Sequence, residues 1–195
     1  MINNAITFLL ETILGLLSIA FLLRFYFQLT KASFQNQFAQ LIVTLTNFAV
    51  KPLRRIVPSF GKVDISTLLL AYLSQLIMHI FALLLKGFPL FVAGNSVWMV
   101  IMGVALLGII SSSISIFLYA VLIQAVLSWV NPHTPVAPTL NSLTYPVLRL
   151  FRKYIPPAGN FDLSPLAFII LAQLLLTTVL IPLENTLFAS LYLPR

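Results

Sequence analysis

Arg54, Arg55, Arg152 and Lys153 have the most suggestive spacing in this chain, because they open two copies of one motif. Arg54-Arg55-Ile56-Val57-Pro58-Ser59-Phe60-Gly61-Lys62-Val63-Asp64-Ile65-Ser66 returns 98 residues later as Arg152-Lys153-Tyr154-Ile155-Pro156-Pro157-Ala158-Gly159-Asn160-Phe161-Asp162-Leu163-Ser164. Five of the thirteen positions are identical, all of them polar or turn-forming residues that are scarce in this composition, which indicates an internal duplication. If the copies pack side by side, the cations would converge into a phosphate-binding cluster for an anionic lipid or a soluble ligand. Lys51 and Arg149 belong to the same basic stretches. The plainer alternative is membrane topology, which needs positive charge on one side but no geometry.

The remaining motif residues suit a re-entry turn. Asp64 and Asp162 stand just before an apolar run, where a carboxylate can accept the free N–H groups of a helix start. Ser66 and Ser164 fit the N-cap, with Pro165 following in the second copy at a position that has no use for an amide hydrogen. Gly61 and Gly159 fit turn positions of positive φ, and Pro58 and Pro156 end the segments before them. The copies stay alike beyond the motif, and Gln75 recurs as Gln173, nine residues into each apolar run. Both glutamines would sit near mid-bilayer and meet near a pseudo-axis, as interhelical contacts or as part of a substrate path. His79, four residues after Gln75, would pack on it or relay protons, and its counterpart is Thr177. Lys86 and Glu184 are equivalent positions of opposite charge, so a surface ion pair is expected.

What positions these residues is a membrane protein. The 195 residues are 60% hydrophobic and 8% charged, against roughly 25% in soluble domains. The net charge of +7 lies beside apolar runs, so anionic inner-leaflet lipid is the expected partner and nucleic acid is not. With no cysteine, disulfides, thiol catalysis and Cys-ligated metals are excluded, and His79 and His133 leave little for a histidine metal site. No Walker, Rossmann or HExxH pattern occurs and the four acids are dispersed, so neither an enzyme nor a cofactor is expected.

About 20 apolar residues cross a bilayer. Spans are expected from Ala5 to Phe27, Ser66 to Leu85, Val97 to Trp129 and Pro165 to about Pro182. Arg24, in the last turn of the first, would snorkel to the headgroups. Phe34, Phe38, Leu41, Ile42, Leu45 and Phe48 recur at helical spacing, giving a helix that lies in the membrane surface or packs on the spans. Leu140, Leu143, Val147, Leu148 and Phe151 give a shorter one. Residues 88–130 carry no charge and would cross once, with Phe88 to Ala93 interfacial or re-entrant, because one crossing puts eight Lys/Arg on one side. The fold expected is therefore all-α: a polytopic helical bundle of about four transmembrane helices in two parallel repeats, 1–96 and 97–195, with interfacial amphipathic helices. Motif loops would be cytoplasmic and both termini extracytoplasmic.

Phe21-Leu22-Leu23-Arg24, Pro52-Leu53-Arg54-Arg55-Ile56-Val57-Pro58, Leu127-Ser128-Trp129 and the second motif copy through Pro165 resemble the YggT family of small bacterial membrane proteins, in its two-repeat proteobacterial form. The resemblance implies a link to osmotic-shock and potassium-related stress tolerance, with plastid relatives tied to assembly of membrane complexes and organelle division. It supplies no catalytic or binding residues. Two functions are carried forward: a non-enzymatic scaffold or assembly factor working with a membrane-protein partner or a second copy of itself, and an oligomeric ion channel or transporter component.

Overall fold

In hydrocarbon a backbone must satisfy its own hydrogen bonds, so long apolar runs become helices. The computed structural model describes residues 2–59, 63–90, 94–131, 134–156 and 162–191. Its helices are α1 (Ile2–Leu29), α2 (Gln37–Leu53), α3 (Ile65–Leu85), α4 (Asn95–Val130), α5 (Ala137–Tyr154) and α6 (Ser164–Leu175), which continues through a π-helical turn, Leu176–Leu180, into α7 (Ile181–Ser190). Among the described residues four helices are long and apolar enough to cross a membrane: α1, α3, α4 and the α6–α7 continuum. A helical membrane bundle is thus the fold. The order span, shorter helix, span occurs twice, α1-α2-α3 and α4-α5-α6/α7.

In each half the first span packs on the last, α1 on α3 and α4 on α6 and α7, while α3 against α4 joins the halves. The Ser18 hydroxyl donates to the Ala71 carbonyl at 3.1 Å, and both residues are fully buried. Small side chains there let the α1 and α3 backbones approach closely. Phe21, Leu22 and Phe27 of α1 form the main core with Ala39, Val50, Ile109, Ile116 and Leu143. A smaller cluster of Leu83, Leu90, Val97 and Ile101 closes the other end.

Residues 95–130 form one continuous helix, as the single-crossing expectation requires. Its 36 residues reach about 54 Å at 1.5 Å per residue, well beyond a hydrocarbon core of about 30 Å. Ser111-Ser112-Ser113 does not break it, because a serine hydroxyl can bond back along its own helix, as Ser113 does to the Ile109 carbonyl at 2.7 Å. Gly94, at φ +83°, begins it instead. The expected piece Phe88 to Ala93 is described only to Leu90.

The fourth span extends past Pro182 to Ser190, longer than expected. Proline has no N–H to give, and the π turn shifts the register just before it, so that the Ile181 N–H reaches the Leu176 carbonyl. The Thr177 and Thr178 hydroxyls donate to the carbonyls of Gln173 (2.9 Å) and Leu174 (2.6 Å) in the same stretch.

The two shorter helices bury the same face, for Ile42, Thr46 and Val50 correspond at the 98-residue offset to Leu140, Thr144 and Leu148, all buried. α2 buries Ala39, Ile42, Thr46 and Val50 and exposes Leu41, Leu45 and Phe48, the last at 68%. α5 buries Leu140, Leu143 and Leu148 and exposes Tyr145, Arg149 and Leu150. Their N-terminal ends touch: the Asn36 side chain caps α2 by accepting from Ala39 N at 2.7 Å, and donates to the Thr139 hydroxyl of α5.

Candidate partner-binding face

The first motif copy starts where α2 stops. Arg54 follows Leu53 as the C-cap, and the chain turns tightly, with the Ile56 and Val57 N–H groups bonded to the Leu53 carbonyl. That turn and the start of α3 bring Arg54 back over Asp64. Arg54 Nε donates to Asp64 Oδ2 at 3.1 Å, Nη2 forms the second bond of the pair, and Nη2 also donates to Gln28 Oε1 of α1 at 3.0 Å. Asp64 is completely buried, whereas the Arg54 side chain is 39% exposed. The Ser66 hydroxyl donates to the Val57 carbonyl at 2.6 Å, tying the start of α3 to the end of the preceding turn.

The second copy makes the same pair in a wetter setting. Arg152 Nε donates to Asp162 Oδ2 at 2.8 Å, with the two side chains 47% and 39% exposed. Asp162 Oδ1 accepts the Ser164 N–H at 2.9 Å. Partial burial pushes the Asp162 carboxyl upward, but the Ser164 N–H and the Arg152 guanidinium outweigh it, so its pKa lies below the ordinary value. Four capping expectations are therefore sorted. Asp162 caps as expected, while Asp64 makes no side-chain cap bond: Arg54 holds Oδ2 twice and Oδ1 has no partner. Ser66 spends its hydroxyl on Val57, and Ser164 lies inside the first turn of α6 beside Pro165, its Oγ buried without a partner. Gly61 and Gly159 lie outside the described residues.

Of Arg54, Arg55, Arg152 and Lys153, the cations expected to converge, two are engaged within their own motif copies. Arg54 and Arg152 are each bound to the aspartate of their own copy, and these are the two ion pairs among the described residues. Lys51, Arg55, Arg149 and Lys153 carry the exposed charge, at matching positions of the two copies. On α5 these cations border a shallow cavity of about 720 Å³ lined by Tyr145, Pro146, Arg149, Leu150 and Lys153. The Lys153 ammonium lies 5.6 Å from the Tyr154 ring centroid, within cation–π range. Cations beside exposed aromatic and aliphatic groups can hold phosphate at an apolar–water boundary.

Arg24 does not snorkel. It is 7% exposed and turns its guanidinium to α2, with Nη1 donating to Thr46 Oγ1 (2.7 Å), Asn47 Oδ1 (3.0 Å) and the Val43 carbonyl (3.3 Å). A buried cation needs several acceptors, and the polar side of α2 supplies them. The matching role in the second copy falls to Gln124, which accepts from Thr144, the counterpart of Thr46, and donates to Asn141. Reading the sequence missed this pairing, although the shared threonine at a 98-residue offset was the available signal.

The mid-bilayer glutamines do not meet. Gln75 is buried, its Nε2 donating to Ser112 Oγ at 3.4 Å beside Gly108, where a Cβ would come within 2.8 Å of Gln75 Oε1. Gln173 is exposed, because α6 turns that face away from the bundle. His79 packs edge-on against Phe188, 5.4 Å between centroids. Lys86 and Glu184 share a cavity wall without forming the expected ion pair.

The CCB3/YggT family profile matches residues 3–85 and again 103–183, one match per half. An uncharacterised protein of Pseudomonas aeruginosa is 36% identical over 198 aligned residues, covering 100% of this chain and 95% of that one. The uncharacterised protein YggT of Escherichia coli is 33% identical over 170 residues, 86% of this chain and 85% of its own length. The uncharacterised protein ycf19 of Porphyra purpurea is 39% identical over 74 residues, 36% of this chain and 78% of its own. No solved structure matches. With two profile matches that together span most of its length, and homologues aligned nearly end to end, the chain belongs to the CCB3/YggT family.

Proposed function

We propose that this protein is a non-enzymatic scaffold or assembly factor of the bacterial inner membrane, serving envelope or osmotic-stress homeostasis. The observation that carries the reading is the exposed set of matched cations, Lys51 with Arg149 and Arg55 with Lys153, on helix ends braced by the Arg54–Asp64 and Arg152–Asp162 pairs. A braced, exposed, two-copy basic face suits an anionic lipid surface and a protein partner docked on it. In this reading repeats 1–96 and 97–195 place their motif loops on the cytoplasmic side and both termini outside. The apolar outer face of α2, Leu41, Leu45 and Phe48, then rests in the membrane surface. The channel alternative would need a second copy to bury Gln173, which the single chain leaves exposed.

The test is the variant K51E/R55E/R149E/K153E, which spares both ion pairs. Photo-crosslinking from Ser59 in living cells should trap a defined complex with the wild type and lose it with the variant at equal expression. The same complex at equal yield from both proteins overturns the reading, and so does selective ion conduction by purified protein in liposomes. Single cysteines in this cysteine-free chain check the orientation. Those at Ser59 and Pro156 should label from the cytoplasmic side and one at Leu191 from the other.

A further inference from the structure

The chain has four acids, and the motif's ion pairs take Asp64 and Asp162. The other two, Glu11 of α1 and Glu184 of α7, are 173 positions apart, yet both line one cavity of about 480 Å³ at the end of the bundle away from the motif turns. His79, Lys86 and Phe188 stand in the same wall. Glu11 lies about 13.5 Å along α1 from Ile2, at 1.5 Å per residue, within a span. A carboxylate at such depth is costly unless it faces a cavity or a partner. His79 is only 7% exposed, and its Nε2 has no hydrogen-bond partner in the cavity wall. A buried polar atom left open in this way calls for a partner in whatever fills the space.

The charges around the cavity are unequal. Lys86 and Glu11 also line a neighbouring cavity of about 750 Å³ together, so Lys86 is placed to balance Glu11. Glu184, His79 and Phe188 line the first cavity and not its neighbour, and among the described residues Glu184 has no cation within 4 Å. Among the described residues no three His, Asp or Glu side chains come close enough to chelate a metal ion. The remaining wall is apolar, with Met78, Ala82 and Leu83.

From this geometry we infer that the cavity between α1, α3 and α7 is a binding site for a small alkylammonium ion. The ammonium group sits between the Glu184 carboxylate and His79 Nε2, over the Phe188 ring, and the alkyl chain lies on Met78 and Leu83. The carboxylate supplies charge, the aromatic ring a cation–π face, and the apolar wall discriminates against hydrated inorganic cations.

The experiment uses the full chain in detergent micelles at fixed ionic strength, with n-butylammonium as the probe. Thermal unfolding should move upward with probe concentration, and saturation transfer should pass from protein to the butyl protons. E184Q should weaken the response at least tenfold, and K86Q, which removes the competing cation, should strengthen it. An unresponsive wild type, meaning a cavity filled by water alone, overturns the inference. An equal response to potassium or sodium chloride does so too, as does undiminished binding by E184Q. If E184Q does not fold, the direction of the K86Q change decides.

Discussion

The two motif copies have the same Arg–Asp spacing, yet removing the arginine should have very different consequences. In R54A the fully buried Asp64 carboxylate loses every donor that now holds Oδ2, and its Oδ1 already has no partner. Breaking a buried ion pair from one side costs about 3–5 kcal/mol, and the 39% exposure of Arg54 puts this case near the lower end, about 3 kcal/mol. In R152A the Asp162 carboxylate is 39% exposed and keeps the Ser164 N–H, so the loss should stay within about 1 kcal/mol. At about 2–4 °C per kcal/mol for a chain of this size, R54A should lower the melting temperature by about 6–12 °C and R152A by less than about 4 °C. D64N leaves a partly exposed arginine and no buried charge, so it should cost about 1.5 kcal/mol. The double variant R54A/D64N should then be milder than R54A alone. Thermal unfolding in micelles, followed by tryptophan fluorescence, reads all four. Equal losses for R54A and R152A, or a double variant as unstable as R54A, would refute the assignment of Asp64 as a buried charge held by Arg54.

R24M should destabilise by about 2–3 kcal/mol, because the charged donor shared by Thr46, Asn47 and Val43 disappears. Limited proteolysis should then open first within residues 30–53. Asp162 has a depressed native pKa, so its stabilisation is complete above the unfolded carboxylate value of about 3.9 and is lost as pH falls through the lower native value. Acidification from about pH 5 to about pH 2 should therefore weaken the wild type more than D162N in parallel thermal scans. Q75L should cost about 0.6 kcal/mol, a typical interhelical hydrogen bond in a membrane, whereas Q173L on an exposed face should be neutral, as chemical or thermal unfolding would show.

Much of this architecture could be read before any coordinates. Spans depend on a local requirement, about 20 consecutive apolar residues, and α1, α3 and α4 fall where the runs do. The end of α6–α7 was misjudged because Pro182 usually stops a helix, and a π turn just before it is invisible in composition. The helical period of Phe38, Leu41, Leu45 and Phe48 announced α2 but left its facing open. Arg24 anchors it, since Thr46 and Asn47 bond the buried guanidinium beside the inward Ala39, Ile42 and Val50, which leaves Leu41, Leu45 and Phe48 outside. In α5 the Thr144 hydroxyl bonds Gln124 instead, and Leu140, Thr144 and Leu148 turn inward at the positions of Ile42, Thr46 and Val50.

The sequence by itself determined the duplication and the helical membrane character, since both follow from short-range pattern and repeat register, while the pairing of each motif's Arg with its Asp came from the structure. Only the tertiary structure decided that Asp64 is sealed while Asp162 is wet, and that Gln75 is enclosed while Gln173 is not. It alone brings Glu11 and Glu184 into one cavity. Burial belongs to whatever packs over a residue, and matching segments of the two halves face different neighbours. Charge in a low-dielectric interior then gives the same residues unequal energies.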